Sequence, residues 1–193
     1  LAGDPMTPPS KVPPLRVPLS QPTRTGGELE LIRQVYDSAF TQRGYFASRC
    51  AAWIEGELGG ARRCAMTTSG TQALEMAALL LDLRPGDEII VPSFTFASTA
   101  NAFAMRGASL VFVDIRPDTL NLDERLFAEA ITPRTRAVVP VHYAGVACEL
   151  DAILSIAQKH GLCVIEDAAQ ALRARYRGQA LGTFGELAMF SFH

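Results

Sequence analysis

From Arg62 onward, short apolar runs alternate regularly with longer segments that have the spacing of amphipathic helices. The apolar runs are RRCAMTTS, DEIIVPS, SLVFVDI, RAVVPVHY and LCVIED; the helical segments between them are TQALEMAALLLDL, TFASTANAFAMRG, LDERLFAEAI and ELDAILSIAQKHG. Strands separated by helices pair in parallel, and continuous apolar character indicates burial on both faces. The pattern therefore predicts an α/β fold with a mostly parallel sheet and helices on both faces.

The flanking segments complete this prediction. Two amphipathic helices are expected in GGELELIRQVYDSAF and FASRCAAWIEGEL, a short hairpin in RARYRGQALG about Gly178, and one more strand in ELAMFSF. Residues 1–14 are rich in proline, which removes backbone donors and disfavours regular ladders. We therefore expect a disordered lead over residues 1–14 and a folded domain over residues 15–193.

Composition excludes several classes of function. A formal net charge of −2 provides no basic field, so nucleic acid is not an expected partner. No apolar run approaches the roughly 18 residues of a bilayer-spanning helix, so no membrane association is expected either. The four cysteines form neither a C-x-x-C pair nor a zinc-like pattern with histidine, which predicts no metal site and a cytoplasmic protein with reduced thiols.

In open α/β sheets, ligands bind at the carboxyl ends of the strands, and polar signals follow several of the runs here. The first is TTSGTQAL, in which a turn containing Gly70 opens directly into a helix. Free amides at a helix start, together with the hydroxyls of Ser69 and Thr71, could seat a phosphate group. Taken alone, the stretch fits an ordinary Ser/Thr helix cap better than a phosphate site.

The second signal is PSFTFAST, where Phe94 and Phe96 follow a strand. An aromatic side chain at this place could stack on a flat heterocycle. For either phenylalanine taken singly, packing in the hydrophobic core is the better interpretation.

The third signal is CVIEDAAQA, in which an apolar predicted strand ends in Glu166 and Asp167. A carboxylate at the end of a buried strand is costly unless a positive group meets it. A protonated pyridine nitrogen is one candidate, since an acidic partner to that nitrogen is typical of pyridoxal phosphate enzymes. A salt bridge to Arg173 or Arg175, or capping of the next helix, explains the spacing equally well.

The three signals match the three parts of pyridoxal phosphate: its phosphate, its ring and its ring nitrogen. Beyond this combination, the chain resembles the DegT/DnrJ/EryC1/StrS family of sugar aminotransferases. The resemblance rests on SGTQALEMAALLLDLRPGDEIIVPSFTFASTANAFAMRGASLVFVDIRPDTLNLDE, VVPVHYAGVACELDAI, VIEDAAQA and the final FSFH. It implies the large domain of a fold-type-I pyridoxal phosphate enzyme.

The resemblance also implies roles for individual residues. Gly70 and Thr71 match the loop that holds the cofactor phosphate, and Ser191 matches a further phosphate ligand. Phe96 matches the aromatic that stacks on the ring. The positions that match contacts to the ring substituents are Asp167, paired with the ring nitrogen and treated as catalytic, and Gln170, near the 3-hydroxyl.

The resemblance covers only the first half of a family member, so residues 15–193 are expected to be an incomplete, truncated large domain without the smaller C-terminal domain. The family motif continues S-F-H-x-x-K, and its Schiff-base lysine would fall three residues beyond His193. Neither Lys11 nor Lys159 lies in a plausible position to replace it. This chain alone is therefore expected to be inactive.

For the intact enzyme, the resemblance implies a homodimer that transfers an amino group from glutamate to a nucleotide-linked 4-keto-6-deoxy sugar, such as a dTDP-linked one. Two alternatives stay open. Some members of the family carry histidine in place of the lysine and dehydrate the sugar at C3. The chain could also be a non-catalytic fragment that binds the cofactor or a partner.

Overall fold

A computed structural model describes residues 23–37, 44–59 and 63–193 of the chain. Contacts divide the chain into two units, residues 1–44 and residues 45–193. The proline-rich stretch 1–14 lies outside the described residues, so its expected disorder and the domain boundary at residue 15 stay predictions.

The first unit contributes one described helix, α1 (Glu28–Asp37). The Glu28 carboxylate accepts hydrogen bonds from the amides of Thr25 and Gly26, which ties the start of α1 to the residues that precede it. These backbone hydrogen bonds lower the pKa of Glu28 to about 2. Arg33 bonds to both Glu30 and Asp37 at helical spacing, so local charge pairing adds to the stability of α1.

The second unit alternates strands and helices as the sequence predicts. Its elements, in chain order, are α2 (Tyr45–Glu57), α3 (Gly70–Leu80), β1 (Glu88–Pro92), α4 (Ala97–Ala104), β2 (Ser109–Val113), α5 (Glu124–Ala130), β3 (Thr135–Val138), a 3-10 turn (Tyr143–Gly145), α6 (Leu150–His160), β4 (Cys163–Asp167), β5 (Arg175–Tyr176), β6 (Gln179–Ala180) and β7 (Leu187–Met189). The predicted hairpin is β5 and β6, which pair in antiparallel fashion about Gly178.

The strands β1, β2, β3, β4 and β7 form one sheet in the order β2-β1-β3-β4-β7, and every neighbouring pair is parallel. Successive side chains of β1 point to opposite faces, as a pleated strand requires. Ile89 and Val91 pack with α3 and α4, whereas Ile90 packs with α5 and α6. The predicted fold class, a parallel sheet covered by helices on both faces, is confirmed.

One predicted strand is wrong. The run RRCAMTTS forms no strand in its described part, residues 63–69. Instead of entering a ladder, the amide of Cys64 donates to the Glu55 carboxylate at 2.7 Å. The segment therefore reaches Gly70 as irregular backbone. Its apolar character predicted a buried strand, but apolar character alone does not supply a ladder partner.

The order of the strands places the site. The chain runs outward from β1 to β2 and then returns to β3 on the other side of β1. This reversal is the topological switch point at which such sheets bind ligands, outside the carboxyl ends of the strands. The start of α4, the 3-10 turn and the residue after β4 all lie at that edge.

Candidate active site

Gly70 brings the start of α3 against the segment that follows β7. A Cβ atom on Gly70 would lie 3.0 Å from Sδ of Met189 and 3.0 Å from Cβ of Ser191. Only glycine therefore fits this approach without a shift of its neighbours. The contact brings together two of the residues predicted to hold the cofactor phosphate, Gly70 and Ser191.

The hydroxyls of Ser69 and Thr71, on either side of Gly70, make different contacts. Ser69 is the N-cap of α3, and its side chain accepts a hydrogen bond from the Gln72 amide at 3.2 Å. This is the ordinary cap that the sequence also allowed. Thr71 is different, because its Oγ1 lies 2.7 Å from Oγ of Ser98 in the first turn of α4. The start of α3 is thus tied to the start of α4.

Phe96 is the N-cap of α4 and has 76% of its surface exposed. Core packing, the interpretation that the sequence favoured for a single phenylalanine, is therefore wrong for Phe96. Phe94 is 39% exposed and packs against Tyr143, with ring centroids 4.6 Å apart. The ring of Phe96 remains available for stacking at the edge where the strands end.

Asp167 is the last residue of β4 and is 4% exposed. Its Oδ2 accepts a hydrogen bond from the Thr99 hydroxyl at 2.7 Å, and its Oδ1 accepts one from the Ala169 amide at 3.2 Å. Burial raises the pKa of Asp167, and the bonds from Thr99 and Ala169, with the nearby His142, offset this only in part.

No salt bridge to Asp167 occurs within residues 23–37, 44–59 and 63–193. Arg173 pairs with Glu57, and Arg175 donates to the Gly178 carbonyl, so neither supplies the counter-charge that the sequence allowed. A buried carboxylate without a cation is an unfavourable arrangement. A ligand with a protonated ring nitrogen would compensate it, so the residues present fit such a ligand.

Glu166, next to Asp167 on β4, is fully buried but has its own donors. One carboxylate oxygen accepts from the amides of Phe184 and Gly185 at 2.7 and 2.8 Å. The other accepts from the Gly182 amide at 2.8 Å and lies 2.9 Å from Nε2 of His142.

The tautomer of His142 follows from the hydrogen bond at its other ring nitrogen, Nδ1. Nδ1 accepts a hydrogen bond from the Cys148 amide at 3.3 Å, so Nε2 carries the proton that is donated to Glu166. Burial alone would raise the pKa of Glu166, but the bonds from His142, Gly185 and Gly182 outweigh it, and that pKa is lowered.

Gln170 is exposed and lies three residues beyond Asp167. Its Oε1 accepts a hydrogen bond from the Ala144 amide at 2.7 Å. Ala144 has a positive φ of 53°, and Asn121 bonds to both ends of the same turn, at the Tyr143 amide and the Val146 carbonyl. With its oxygen accepting this bond, Gln170 can still present its NH₂ group to a ligand.

The predicted site residues thus form two contacting groups. The segment at Gly70 touches Ser191 directly, and Thr71 reaches α4 through Ser98. The next residue of α4, Thr99, reaches Asp167. The residues that sequence reasoning missed are Ser98 and Thr99, since nothing in PSFTFAST distinguishes the two hydroxyls from helix-start residues. The sequence drew attention to Glu166 beside Asp167, but not to its pairing with His142.

Ser191 is half-buried, and its Oγ accepts a hydrogen bond from the His193 amide at 3.3 Å. Ala168 donates to the Met189 carbonyl at 2.8 Å, so the ends of β4 and β7 are held side by side. These contacts place Ser191 and Asp167 on adjacent strand ends. The cofactor contacts of these side chains stay predictions.

Across the described residues, no group of three or more histidine, cysteine, aspartate or glutamate side chains is arranged to hold a metal ion. Nor does any helix in the described ranges have the length and apolar character needed to cross a bilayer.

Comparison with known proteins gives two informative relatives. The chain is 39% identical over 181 residues to the spore coat polysaccharide biosynthesis protein SpsC of Bacillus subtilis, covering 92% of this chain and 45% of SpsC. It is 46% identical over 133 residues to the GDP-perosamine synthase of Caulobacter vibrioides, covering 69% of this chain and 36% of that enzyme. The chain therefore spans less than half the length of either relative.

Solved structures show the same fold. The structure of 3-amino-5-hydroxybenzoic acid synthase has a TM-score of 0.85 at 34% identity, and the match covers 90% of this chain and 46% of that one. The structure of GDP-4-keto-6-deoxymannose-3-dehydratase with bound GDP-perosamine has a TM-score of 0.84 at 28% identity, covering 90% of this chain and 46% of that one.

The family model for DegT/DnrJ/EryC1/StrS aminotransferases matches residues 23–193, which is most of the chain. The family explains the parallel sheet and identifies pyridoxal phosphate as the cofactor. The chain belongs to the DegT/DnrJ/EryC1/StrS aminotransferase family.

Proposed function

We propose that the protein containing this chain transfers an amino group from glutamate to the 4-keto carbon of a nucleotide-linked 6-deoxy sugar. The observation that carries the proposal is the buried Asp167 carboxylate, which has hydrogen-bond donors but no ion-pair partner within the described residues. Its requirement for a cation matches the pyridinium nitrogen of the family's cofactor.

Each predicted site residue has a role in this proposal. The Asp167 carboxylate accepts the hydrogen bond of the pyridinium N–H and keeps that nitrogen protonated. The amides at the start of α3, with Thr71 and Ser191, hold the phosphate, since a helix N-terminus attracts anions. Phe96 would pack against the ring, and the NH₂ group of Gln170 would be able to donate to the 3-hydroxyl.

Pyridoxal phosphate supplies, when bound, an electron-accepting ring and a carrier for the amino group. The chain's contribution would be to orient that ring through Phe96 and to hold a negative charge at Asp167. A carboxylate kept ionised at the ring nitrogen makes the ring a stronger electron acceptor. The lysine expected three positions after His193 would move the protons in the intact protein.

The proposal is tested with the protein encoded by the full reading frame that contains this chain. The purified protein is incubated with pyridoxal phosphate, ¹⁵N-labelled glutamate and either dTDP-4-keto-6-deoxyglucose or GDP-4-keto-6-deoxymannose. Mass spectrometry should detect a ¹⁵N-labelled amino sugar, and Asp167→Asn should strongly reduce its formation. Absence of label from both sugars would contradict the proposal.

A second candidate is dehydration of the sugar at C3, because a GDP-4-keto-6-deoxymannose-3-dehydratase is among the matching structures. The same assay separates the two reactions. A product that has lost the 3-hydroxyl and carries no ring amino group would favour the dehydratase. Histidine at the third position after His193 would agree with that outcome, and lysine with amino transfer.

Homodimer formation is proposed for the intact protein on family grounds, and size-exclusion chromatography with light scattering tests it. A mass of two chains is expected. A monomer that is active at assay concentration would contradict the proposal.

A further inference from the structure

The hydroxyls of Thr95 and Thr99 form a hydrogen-bonded chain that ends at the buried carboxylate of Asp167. Thr99 lies in the first turn of α4, is fully buried, and places its Oγ1 2.7 Å from Oδ2 of Asp167. On its other side, the same Oγ1 lies 2.8 Å from Oγ1 of Thr95. No residue role given by the family resemblance involves either threonine.

The direction of these bonds is fixed when Asp167 is ionised. A carboxylate only accepts hydrogen bonds, so Thr99 must donate its single hydroxyl proton to Asp167. Thr99 then has only lone pairs left for Thr95, which must be the donor in that pair. The relay therefore runs from Thr95 to Thr99 to Asp167, and each hydrogen bond polarises the next.

We propose that Thr99 is a positioning residue for the cofactor site: its hydroxyl, oriented by Thr95, holds the Asp167 carboxylate in one orientation and stabilises its ionised form. The inference rests on the proposed role of Asp167 toward the ring nitrogen. The inference adds Thr99, whose hydrogen bond favours the ionised form of the buried Asp167 carboxylate, the form that can pair with a cation.

The surroundings of Asp167 explain why a donor is needed. Burial raises the pKa of Asp167, which favours the neutral acid. The opposing groups are the hydroxyl of Thr99, the Ala169 amide and the electrostatic effect of His142, the titratable neighbour on the segment after β3. From β7, the residue in register with Asp167 is Met189, which carries no charge.

The first turn of α4, which carries Ser98 and Thr99, links the two ends of the proposed cofactor site. The preceding residue, Ser98, bonds to Thr71 at the predicted phosphate seat. Consecutive hydroxyls of α4 thus contact the phosphate side and the ring-nitrogen side. A change at Thr99 should affect the nitrogen side while leaving the contact of Ser98 with Thr71 intact.

The test uses the full-length protein and the variant Thr99→Val, which keeps the shape of the side chain and removes the hydroxyl. The Asp167 carboxyl carbon is followed by ¹³C NMR over a pH series in cofactor-free protein. The midpoint should move to higher pH in Thr99→Val and stay near the wild-type value in Thr99→Ser.

Binding of pyridoxal 5′-phosphate gives the second readout. We expect Thr99→Val to weaken binding about tenfold, because the Asp167 carboxylate would be ionised less readily and held less firmly when it meets the ring nitrogen. Thr99→Val should show this loss at neutral pH and a larger loss at lower pH, where Asp167 is protonated more readily. Thr99→Ser should restore most of the affinity.

Thr135→Val is the matched control. Thr135 is also a buried threonine whose hydroxyl accepts from an amide, that of Thr132 at 2.9 Å, but it begins β3 at the opposite edge of the sheet. It should lower stability without moving the Asp167 midpoint. If Thr99→Val and Thr135→Val titrate alike, the inference is wrong.

Three other variants keep the test decisive. If Thr99→Val does not fold, Thr99→Cys, a weak donor, and Thr99→Ala should give intermediate and full shifts of the midpoint. Asp167→Asn distinguishes the proposed role of Asp167 from the inference about Thr99. If this variant leaves cofactor affinity unchanged, the proposed role of Asp167 fails. If Asp167→Asn weakens binding but neither Thr99→Ala nor Thr99→Cys does, only the inference about Thr99 fails.

Discussion

Two neighbouring carboxylates at the end of β4 have opposite surroundings, although both are buried. Glu166 accepts hydrogen bonds from three amides and from His142, and its pKa is lowered. Asp167 accepts from one hydroxyl and one amide, and its pKa is raised. The comparison indicates that Glu166 holds the fold together, whereas Asp167 has fewer donors, which is the reason for proposing a cationic ligand beside it.

The structural carboxylate also supports the site indirectly. Its amide donors lie in the loop from Gly182 to Gly185, and Gly182 packs so closely under the ring of Phe190 that a Cβ would come within 2.3 Å of it. Phe190 directly precedes Ser191. Glu166 therefore fixes the loop against which the predicted phosphate ligand is held.

Glu166→Gln should have the largest effect on stability. The amide group would point an N–H toward donors already present, and the folded state should lose about 1–3 kcal/mol for each buried donor that is left without an acceptor. Denaturant unfolding of the cofactor-free protein measures this loss. Glu149→Gln is the control, because Glu149 is exposed and its side chain makes no cap hydrogen bond; equal losses in the two variants would contradict the assigned role.

Gly70→Ala tests the contact between α3 and the segment that Glu166 supports. The new methyl would meet Met189 and Ser191, so we expect a loss of about 1–2 kcal/mol in stability and weaker cofactor binding. Gly56→Ala is the matched control, since Gly56 lies inside α2 with open space around its missing Cβ. That control should gain about 0.5–1 kcal/mol. A gain in Gly70→Ala as well would show that the close approach is absent.

Asp167→Asn should change stability by less than about 1 kcal/mol at neutral pH, in contrast to Glu166→Gln. Thr99 can reverse its hydroxyl to accept from the new amide and donate to Thr95. The result should be a folded protein with impaired cofactor binding. Unfolding of the variant by as much as Glu166→Gln would erase the distinction between the two carboxylates.

The two acids should also differ in how pH affects stability. Because the pKa of Asp167 is raised in the folded state, its contribution is fully present below the unfolded pKa and is lost as pH rises through the folded one. For Glu166 the pKa is lowered, so its contribution is present above the unfolded pKa and is lost as pH falls through the folded value. Unfolding free energies of wild type minus Asp167→Asn across pH should fall with rising pH; a rise would contradict this.

Phe96→Ala should have the smallest effect on stability, within about 0.5 kcal/mol, because the ring is mostly exposed. Loss of stacking should still weaken cofactor binding about three- to tenfold. Phe103→Ala, in the same helix but fully buried, should instead cost about 3–5 kcal/mol. A large stability loss in Phe96→Ala would mean that the ring packs in the protein.

Much of the fold was predictable because it depends on local patterns. Alternating apolar runs and amphipathic segments gave the parallel sheet, and Gly178 marked the hairpin. The run before Gly70 was mistaken for a strand, since apolar character alone does not tell whether a ladder partner exists. The pairing of Cys64 with Glu55 decides that point and is invisible in the sequence.

The site was predictable only in outline. The spacing of CVIEDAAQA left a ring nitrogen, an arginine and a helix cap equally acceptable for Asp167. The structure removes the arginines, because Arg173 and Arg175 have other partners. Thr99 lies 68 residues from Asp167 along the chain, so only the folded sheet could bring its hydroxyl to the carboxylate.

The central claim is that Asp167 keeps the ring nitrogen of bound pyridoxal phosphate protonated. The ¹⁵N chemical shift of that nitrogen, in ¹⁵N-labelled cofactor bound to the full-length protein above pH 7, tests this directly. The account predicts a protonated nitrogen in the wild type and an unprotonated one in Asp167→Asn. The same shift in both proteins would contradict it.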